Sequence, residues 1–249
     1  MMVASHTDAV PRARGWFFAG TAALMLLVVF LGFGRSFFLR PLYIEAPLPP
    51  HLIVHGVVMT TWFLLFLVQA VLVRAKRITL HRRLGLAGVV VALAAFVTGV
   101  LVNVRIASRA MAADSPERTQ DMLAFAAASL VGLLPFVPLF VLALWYVRRP
   151  AVHKRMMYWA FAWMLGPAFT NTRPLGRVLD ALVAPQLPFF PSDLLWLIAL
   201  VVYDWRTMRR VHPATYLTFV LLAVYALVLT PRLAGHPAVR QLLLALAGA

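Results

Sequence analysis

Residues 51–83 read HLIVHGVVMTTWFLLFLVQAVLVRAKRITLHRR, an apolar run followed by a strongly basic hinge. Residues 51–73 contain no Lys, Arg, Asp or Glu. As an α-helix rising about 1.5 Å per residue, this run is about 34 Å long and can cross a hydrocarbon core of about 30 Å. The stretch therefore predicts a membrane-spanning helix that ends in a basic turn.

The polar residues of this run lie on one side of the predicted helix. At about 100° per residue, His55, Trp62 and Gln69 fall within roughly 40° of the direction of His51. A polar side chain in hydrocarbon needs a partner, so the stripe is predicted to face the interior of a helix bundle. Packing between helices is the ordinary role of Trp62 and Gln69. For two His one turn apart, packing and ligation weigh equally, and His55 is predicted to be the most functionally sensitive residue in the membrane.

The composition of the whole chain agrees with this class. Of its 249 residues, 63% are apolar and only 12% are charged, whereas about a quarter are charged in ordinary soluble domains. The chain has no Cys, which excludes disulfides, thiolate metal sites and covalent c-type haem. Any metal must therefore be held by His, carboxylate, Met or backbone groups.

The fold predicted from these patterns is all-α: a polytopic transmembrane helix bundle forming one domain, with the N-terminus inside. About seven spans are expected, at residues 16–34, 51–73, 84–104, 122–147, 156–170, 194–211 and 214–230. Fourteen of the 23 Lys and Arg lie in the N-terminal segment and after the second, fourth and sixth spans. The positive-inside rule then places these turns in the cytoplasm and the C-terminus outside, in a bacterial inner (plasma) membrane. The net charge of +15 is assigned to these turns and to anionic lipid headgroups, not to nucleic acid.

Two of the basic turns repeat one motif. Residues 77–83 (RITLHRR) and 149–155 (RPAVHKR) share the pattern R-x-x-x-H-[RK]-R, which predicts related hairpins. His81 and His153 should then lie at one membrane level, with His212 at the third such turn. Neutral imidazoles there could ligate haem iron or a metal, and protonated ones could bind phosphate or lipid headgroups. The remaining alternative is that the basic residues only fix the topology.

A second candidate site is predicted on the other side of the membrane. His51 and His55, with Glu45 just before them and His236 on the same side, could form a metal site of oxygen and nitrogen ligands. Alternatively, His55 alone could be a haem ligand. Two acidic residues have simpler predicted roles: Asp193 caps the sixth span, and Asp204 forms a surface ion pair with the arginines that follow it.

Four motifs together resemble an uncharacterised group of bacterial multi-spanning membrane proteins. They are HG-x5-W-x6-Q from His55 to Gln69, LHRRLG around His81, HKRMM from His153, and YDW-x4-RVHPAT around His212. The H-[RK]-[RK] turns also resemble those of small proteins of cytochrome oxidase assembly and, more remotely, of four-helix b-type cytochromes. The resemblance covers residues 47–215 and implies that His55, His81, His153 and His212 are the functional positions.

The sequence thus predicts an inner-membrane bundle that binds haem b or a divalent metal through paired His and serves respiratory electron transfer or oxidase assembly. The alternative is a carrier or a lipid-interacting structural protein without redox chemistry. The expected partners are membrane lipid and either a second copy of the chain or a respiratory complex. No G-x-S-x-G, H-E-x-x-H or Walker motif is present, so no catalytic reaction is assigned.

Overall fold

The computed structural model describes residues 15–172 and 191–248, and every described element is helical. Four of the counted arginines, at positions 12, 14, 173 and 177, lie outside these residues. The helices in chain order are α1 (Phe17–Phe33), α2 (Pro50–Arg74), α3 (Ile78–Ala110), α4 (Pro116–Leu133), α5 (Phe136–Trp145), α6 (Pro150–Trp163), α7 (Gly166–Thr170), α8 (Pro191–Met208), α9 (Pro213–Val224), α10 (Thr230–Ala234) and α11 (Pro237–Ala247). Short π-helical turns, Gly34–Phe38 and Tyr225–Leu229, extend α1 and α9.

Within residues 15–172 and 191–248, five helical segments are long and apolar enough to cross a membrane, so the prediction of about seven spans is wrong. The five segments are Phe17–Phe38, Pro50–Arg74, Ile78–Ala110, Pro116–Trp145 and Pro213–Ala234. The predicted third span is longer than expected, because α3 continues through 33 residues. The predicted fourth span is interrupted by a bend: α4 ends before Pro135 and α5 begins after it.

The two predicted spans that fail are residues 156–170 and 194–211. The first is divided by a turn into α6, with 14 residues, and α7, with 5, so neither piece has the length of a span. The second forms α8, whose 18 residues include Asp193, Asp204 and Arg206. With these two spans removed, the number of spans falls from seven to five, which is still odd. The prediction that the N-terminus is inside and the C-terminus outside is therefore unchanged.

Helices α6 and α8 pack against each other in antiparallel order within the bundle. Near the start of α6, Arg155 meets Asp204 near the end of α8, and further along Tyr158 donates a hydrogen bond of 2.9 Å to the carbonyl of Trp196. Half of the 14 residues of α6 are buried, and all seven of them lie in the run from Arg155 to Ala162. This helix is therefore enclosed by protein, which explains its high aromatic content.

Aromatic stacking forms the centre of the core. The ring of Phe161 on α6 lies between Trp62 and Phe66 on α2, with centroid separations of 4.0 and 4.1 Å. Trp62 also meets Phe136 and Phe140 of α5 edge-on. These contacts join α2, α5 and α6 without polar groups, and they fix the depth of α6 relative to α2.

Small residues allow α3 to approach its neighbours closely. Gly88, Ala92, Ala95 and Gly99 are all buried along one side of the helix. A Cβ at Gly99 would lie 3.0 Å from Leu133 of α4, so the side chain of Leu133 already fills that position. At the far end of α3, α11 packs through the fully buried Leu243 against Ala107, Ala110 and Leu123.

Candidate functional site

Three helix turns meet at one end of the bundle, which we call the turn end: residues 74–78, 145–150 and 208–213. In the first turn, the backbone of Lys76 lies in the left-handed region, at φ 59°. The Lys76 N–H donates to the Val73 carbonyl and the Arg77 N–H donates to the Leu72 carbonyl, which closes the end of α2. This is a Schellman closure, in which a glycine is usual. It sends the chain directly into α3, so that His81 follows the end of α2 by only seven residues.

His81 and His153 face each other at the turn end. Their ring centroids are 6.4 Å apart and their planes are nearly perpendicular, at 87°. Each ring lies in the first turn of its helix, α3 or α6, as the repeated motif predicted. The separation is far below the roughly 15 Å at which shared coordination, through metal–nitrogen bonds of about 2 Å, would be excluded.

A backbone carbonyl orients one of the two imidazoles. His153 Nδ1 lies 2.7 Å from the carbonyl oxygen of Ala143, and because a carbonyl can only accept, Nδ1 must carry the proton. For His81, Nδ1 is buried with no hydrogen-bond partner in the described part of the chain. The His81 ring therefore has a buried nitrogen whose hydrogen-bonding capacity is unused within these residues.

The two other stripe residues on α2 differ in role. The amide of Gln69 lies near Gly85, one turn after His81, because a Cβ at Gly85 would be 3.9 Å from its Nε2. Its Oε1 is buried and accepts no hydrogen bond from the described residues. Trp62 is only 1% exposed and lies in the aromatic stack, which gives it a packing role.

A buried ion pair lies beside the histidine pair, and sequence analysis missed it. Arg155, two residues after His153, contacts Asp204 through Nη2, while its Nε is 3.1 Å from Oδ1. The two side chains are 1% and 0% exposed, so the prediction that Asp204 forms a surface ion pair is wrong. Thr215 Oγ1 donates to Asp204 Oδ2 at 2.6 Å and the His212 N–H donates at 3.0 Å. The carboxylate therefore ties together α6, α8 and α9.

This network determines the protonation of its members. Burial alone would raise the pKa of Asp204, but the hydrogen bonds from Arg155, Thr215 and the His212 N–H, with the charge of Arg155, hold that pKa below its usual value. Burial and the charge of Arg155 also lower the pKa of His212. The carboxylate is thus ionised and the His212 ring neutral at pH 7.

His212 does not share the geometry of the other two His at the turn end. Its Nδ1 accepts a hydrogen bond of 3.0 Å from the Ala214 N–H, so the ring caps the N-terminus of α9. Pro213 occupies the first helical position. The sequence predicted that His212 is a ligand, and the structure shows that the same side chain caps a helix.

The predicted metal site at the opposite end of the bundle is not assembled. Within residues 15–172 and 191–248, no three His, Asp or Glu side chains come together as a metal-binding group. Glu45 is exposed and His51 is half-buried at the start of α2. His55 Nδ1 lies 3.1 Å from Thr98 Oγ1 on α3, and His236 caps α11.

Asp193 also departs from its predicted role. Helix α8 begins at Pro191, so Asp193 lies within the first turn and is not the N-cap residue. Its carboxyl is 5% exposed, and burial raises its pKa to about 8.

No protein-family model matches this chain, and neither a curated protein nor a solved structure matches it. The site must therefore be interpreted from its own chemistry. Within the described residues, that chemistry consists of two neighbouring imidazoles, one buried ring nitrogen and one buried amide oxygen that have no hydrogen-bond partner, and a buried Arg–Asp pair that fixes the adjacent helix.

Proposed function

We propose that this multi-spanning membrane protein binds one metal centre, most simply haem b, between His81 and His153, and that it serves electron transfer in a bacterial inner membrane. The observation that carries the proposal is the 6.4 Å separation of two imidazoles. His153 is oriented by the hydrogen bond from its Nδ1 to a backbone carbonyl, and His81 has a buried Nδ1 with no partner among the described residues. Metal-ligating His commonly donate their second N–H to such a carbonyl, which fixes the tautomer and the ring orientation.

The number of ligands favours haem over a bare ion. A zinc ion takes four protein or water ligands, and only two imidazoles are in place. Haem iron already has four porphyrin nitrogens, so His81 and His153 would be enough to hold it, and the haem would supply one-electron chemistry. The distance between the ring centroids of His81 and His153 also suits an iron atom between them. Two metal–nitrogen bonds of about 2 Å, added to the distance from each nitrogen to its ring centroid, would give roughly the same length.

The charges at the turn end suit the same occupant. Arg82 and Arg83 directly follow His81 and are exposed, so they can pair with carboxylate groups such as haem propionates. Arg74, Lys76 and Arg77 are exposed in the preceding turn, where they can contact anionic lipid headgroups. In this proposal the turn end lies in the cytoplasm, in agreement with the positive-inside rule.

The proposal is tested by the absorption spectrum and metal content of the purified protein, prepared oxidised and reduced. His81→Ala and His153→Ala should each abolish the reduced haem bands, while the protein stays folded in the membrane. His236→Ala is the matched control, because His236 is an exposed helix-capping histidine far along the chain. Unchanged spectra in both site variants, or a wild-type protein with neither haem nor metal, would overturn the proposal.

A further inference from the structure

A cavity of about 310 Å³ lies at the end of the bundle opposite the turn end. It is enclosed by the far end of α1, the first half of α2, the segment from Ser36 to Arg40, and the start of α7. Its volume is at the lower limit of the range typical of small-molecule sites. The cavity lies at the other end of α2 from Gln69 and His81, so it is separate from the histidine pair.

The cavity walls are mostly apolar. Val29 and Phe33 come from α1, Leu52, Met59 and Phe63 from α2, and Met164 from the turn before α7. From Leu52 to Phe63 the wall follows three turns of α2, about 16 Å. An apolar space of this length inside a membrane bundle accommodates a hydrocarbon chain.

The segment that covers the cavity is held closely against α2. The ring of Phe37 occupies the space where a Cβ at Gly56 would lie, so Gly56 is required for this contact. The π-helical turn Gly34–Phe38 and the short 3₁₀ turn Arg40–Leu42 fold this part of the chain beside the cavity. The segment between α1 and α2 therefore forms part of the cavity lining and joins the two helices.

Two polar groups on this wall retain unused hydrogen-bonding capacity. Arg40 donates through Nε to the Ala46 carbonyl at 3.0 Å and through Nη1 to the Ser36 carbonyl at 3.3 Å. Its Nη2 donates to no acceptor within the described residues. Arg40 can therefore donate to an oxygen of a ligand.

His55 supplies the complementary acceptor. Thr98 Oγ1 uses its proton on the carbonyl of Ala94, at 2.7 Å, so His55 Nδ1 must donate to Thr98. Nε2 of His55 then has a lone pair and is the ring atom that remains available to a ligand. Arg40 thus offers a donor and His55 an acceptor, and the hydroxyl-bearing residues Ser36 and Thr60 also line the cavity.

We infer that this cavity binds a membrane amphiphile with a single apolar chain and a hydroxyl-bearing head group. The hydroxyl donates to His55 Nε2, a neighbouring oxygen of the head accepts from Arg40, and the chain lies along α2 toward Phe63. Glycerol monoesters and isoprenoid hydroquinones share this chemistry. The inference does not depend on any cofactor at His81 and His153.

The test is saturable binding of tritiated 1-monolauroylglycerol to the intact protein in nanodiscs. Wild-type protein should bind one molecule per chain, and His55→Phe and Arg40→Met should each weaken binding by about ten- to hundredfold. Met59→Trp, which fills the cavity, should abolish binding, and Leu52→Trp serves the same purpose if that variant fails to fold. Val57→Trp is the matched control, because Val57 is on the same helix but 54% exposed and outside the cavity wall.

Competition identifies the natural source of the head group. Displacement by unlabelled monolauroylglycerol but not by an isoprenoid hydroquinone supports a lipid ligand, and preferential displacement by the hydroquinone supports a quinol. Methyl laurate has the same chain without a hydroxyl and should compete at least tenfold less well. Equal competition by methyl laurate, non-saturable binding, or wild-type binding by the folded cavity-filling variants would overturn the inference.

Discussion

Replacing Arg155 with Met should destabilise the protein strongly, because it leaves the Asp204 carboxylate buried without its cation. Both side chains are almost completely inaccessible, and Asp204 would keep only its hydrogen bonds from Thr215 and the His212 N–H. Removal of one partner of a buried ion pair typically costs about 3–5 kcal/mol. For a chain of this size, that loss corresponds to a fall in Tm of roughly 6–20 °C.

The measurement is thermal unfolding in a mild detergent, followed by helical circular dichroism. The double variant Arg155→Met with Asp204→Leu should recover most of the lost stability, because an apolar pair of similar volume removes both desolvated charges. Thr215→Val is the smaller comparison and should cost about 0.5–1.5 kcal/mol. If Arg155→Met unfolds within 1 °C of wild type, the inference that this pair ties α6 to α8 and α9 is refuted.

Three further predictions concern the fold. Gly32→Ala should destabilise the bundle by about 1–3 kcal/mol, since a Cβ there would overlap a backbone carbonyl of α7. Gly20→Ala on the same helix is the control and should be no less stable than wild type, because a Cβ at Gly20 meets no atom within 4 Å. Lys76→Gly should raise stability by about 1 kcal/mol in chemical unfolding, because its φ of 59° is costly for a side chain; a loss would contradict this. A reporter fused after Gly248 should be periplasmic and one inserted near Thr79 cytoplasmic, and the reverse pattern would invert the topology.

The pH dependence of stability should show the protonation of Asp204. Its folded-state pKa is below the unfolded value of about 3.9, so the ion pair contributes its full stability above that pH. The contribution is lost as the pH falls through the lower folded-state value. Wild-type Tm should therefore fall steeply only below about pH 4, and Asp204→Asn should lack this dependence. An equally steep acid transition in Asp204→Asn would assign it to another group.

The helical class and the proximity of His81 and His153 could be predicted from sequence. Hydropathy identifies a span from local composition, and a repeated motif at two turns implies a common level, whatever the packing between them. Residues 156–170 were misassigned because hydropathy does not detect the turn that divides α6 from α7. It also does not distinguish an apolar helix surrounded by protein from one surrounded by lipid.

The buried ion pair could not be found from local sequence. Asp204 precedes Arg206, Arg209 and Arg210, which are its natural partners by spacing, yet its actual partner is 49 residues away. The available signal was on α6: Arg155 shares its face with Trp159 and Ala162 at helical spacing, both of which are buried. A cation within such an apolar stripe indicates a buried partner elsewhere in the chain.

The central claim is most directly tested by electron paramagnetic resonance of the oxidised, purified protein. Two imidazole ligands from His81 and His153 predict a low-spin, six-coordinate haem signal, at one haem per chain. His153→Ala should convert any haem that remains to a high-spin signal, and imidazole added to the buffer should restore the low-spin form. A low-spin signal of wild-type intensity in His153→Ala without added imidazole would contradict ligation by the pair.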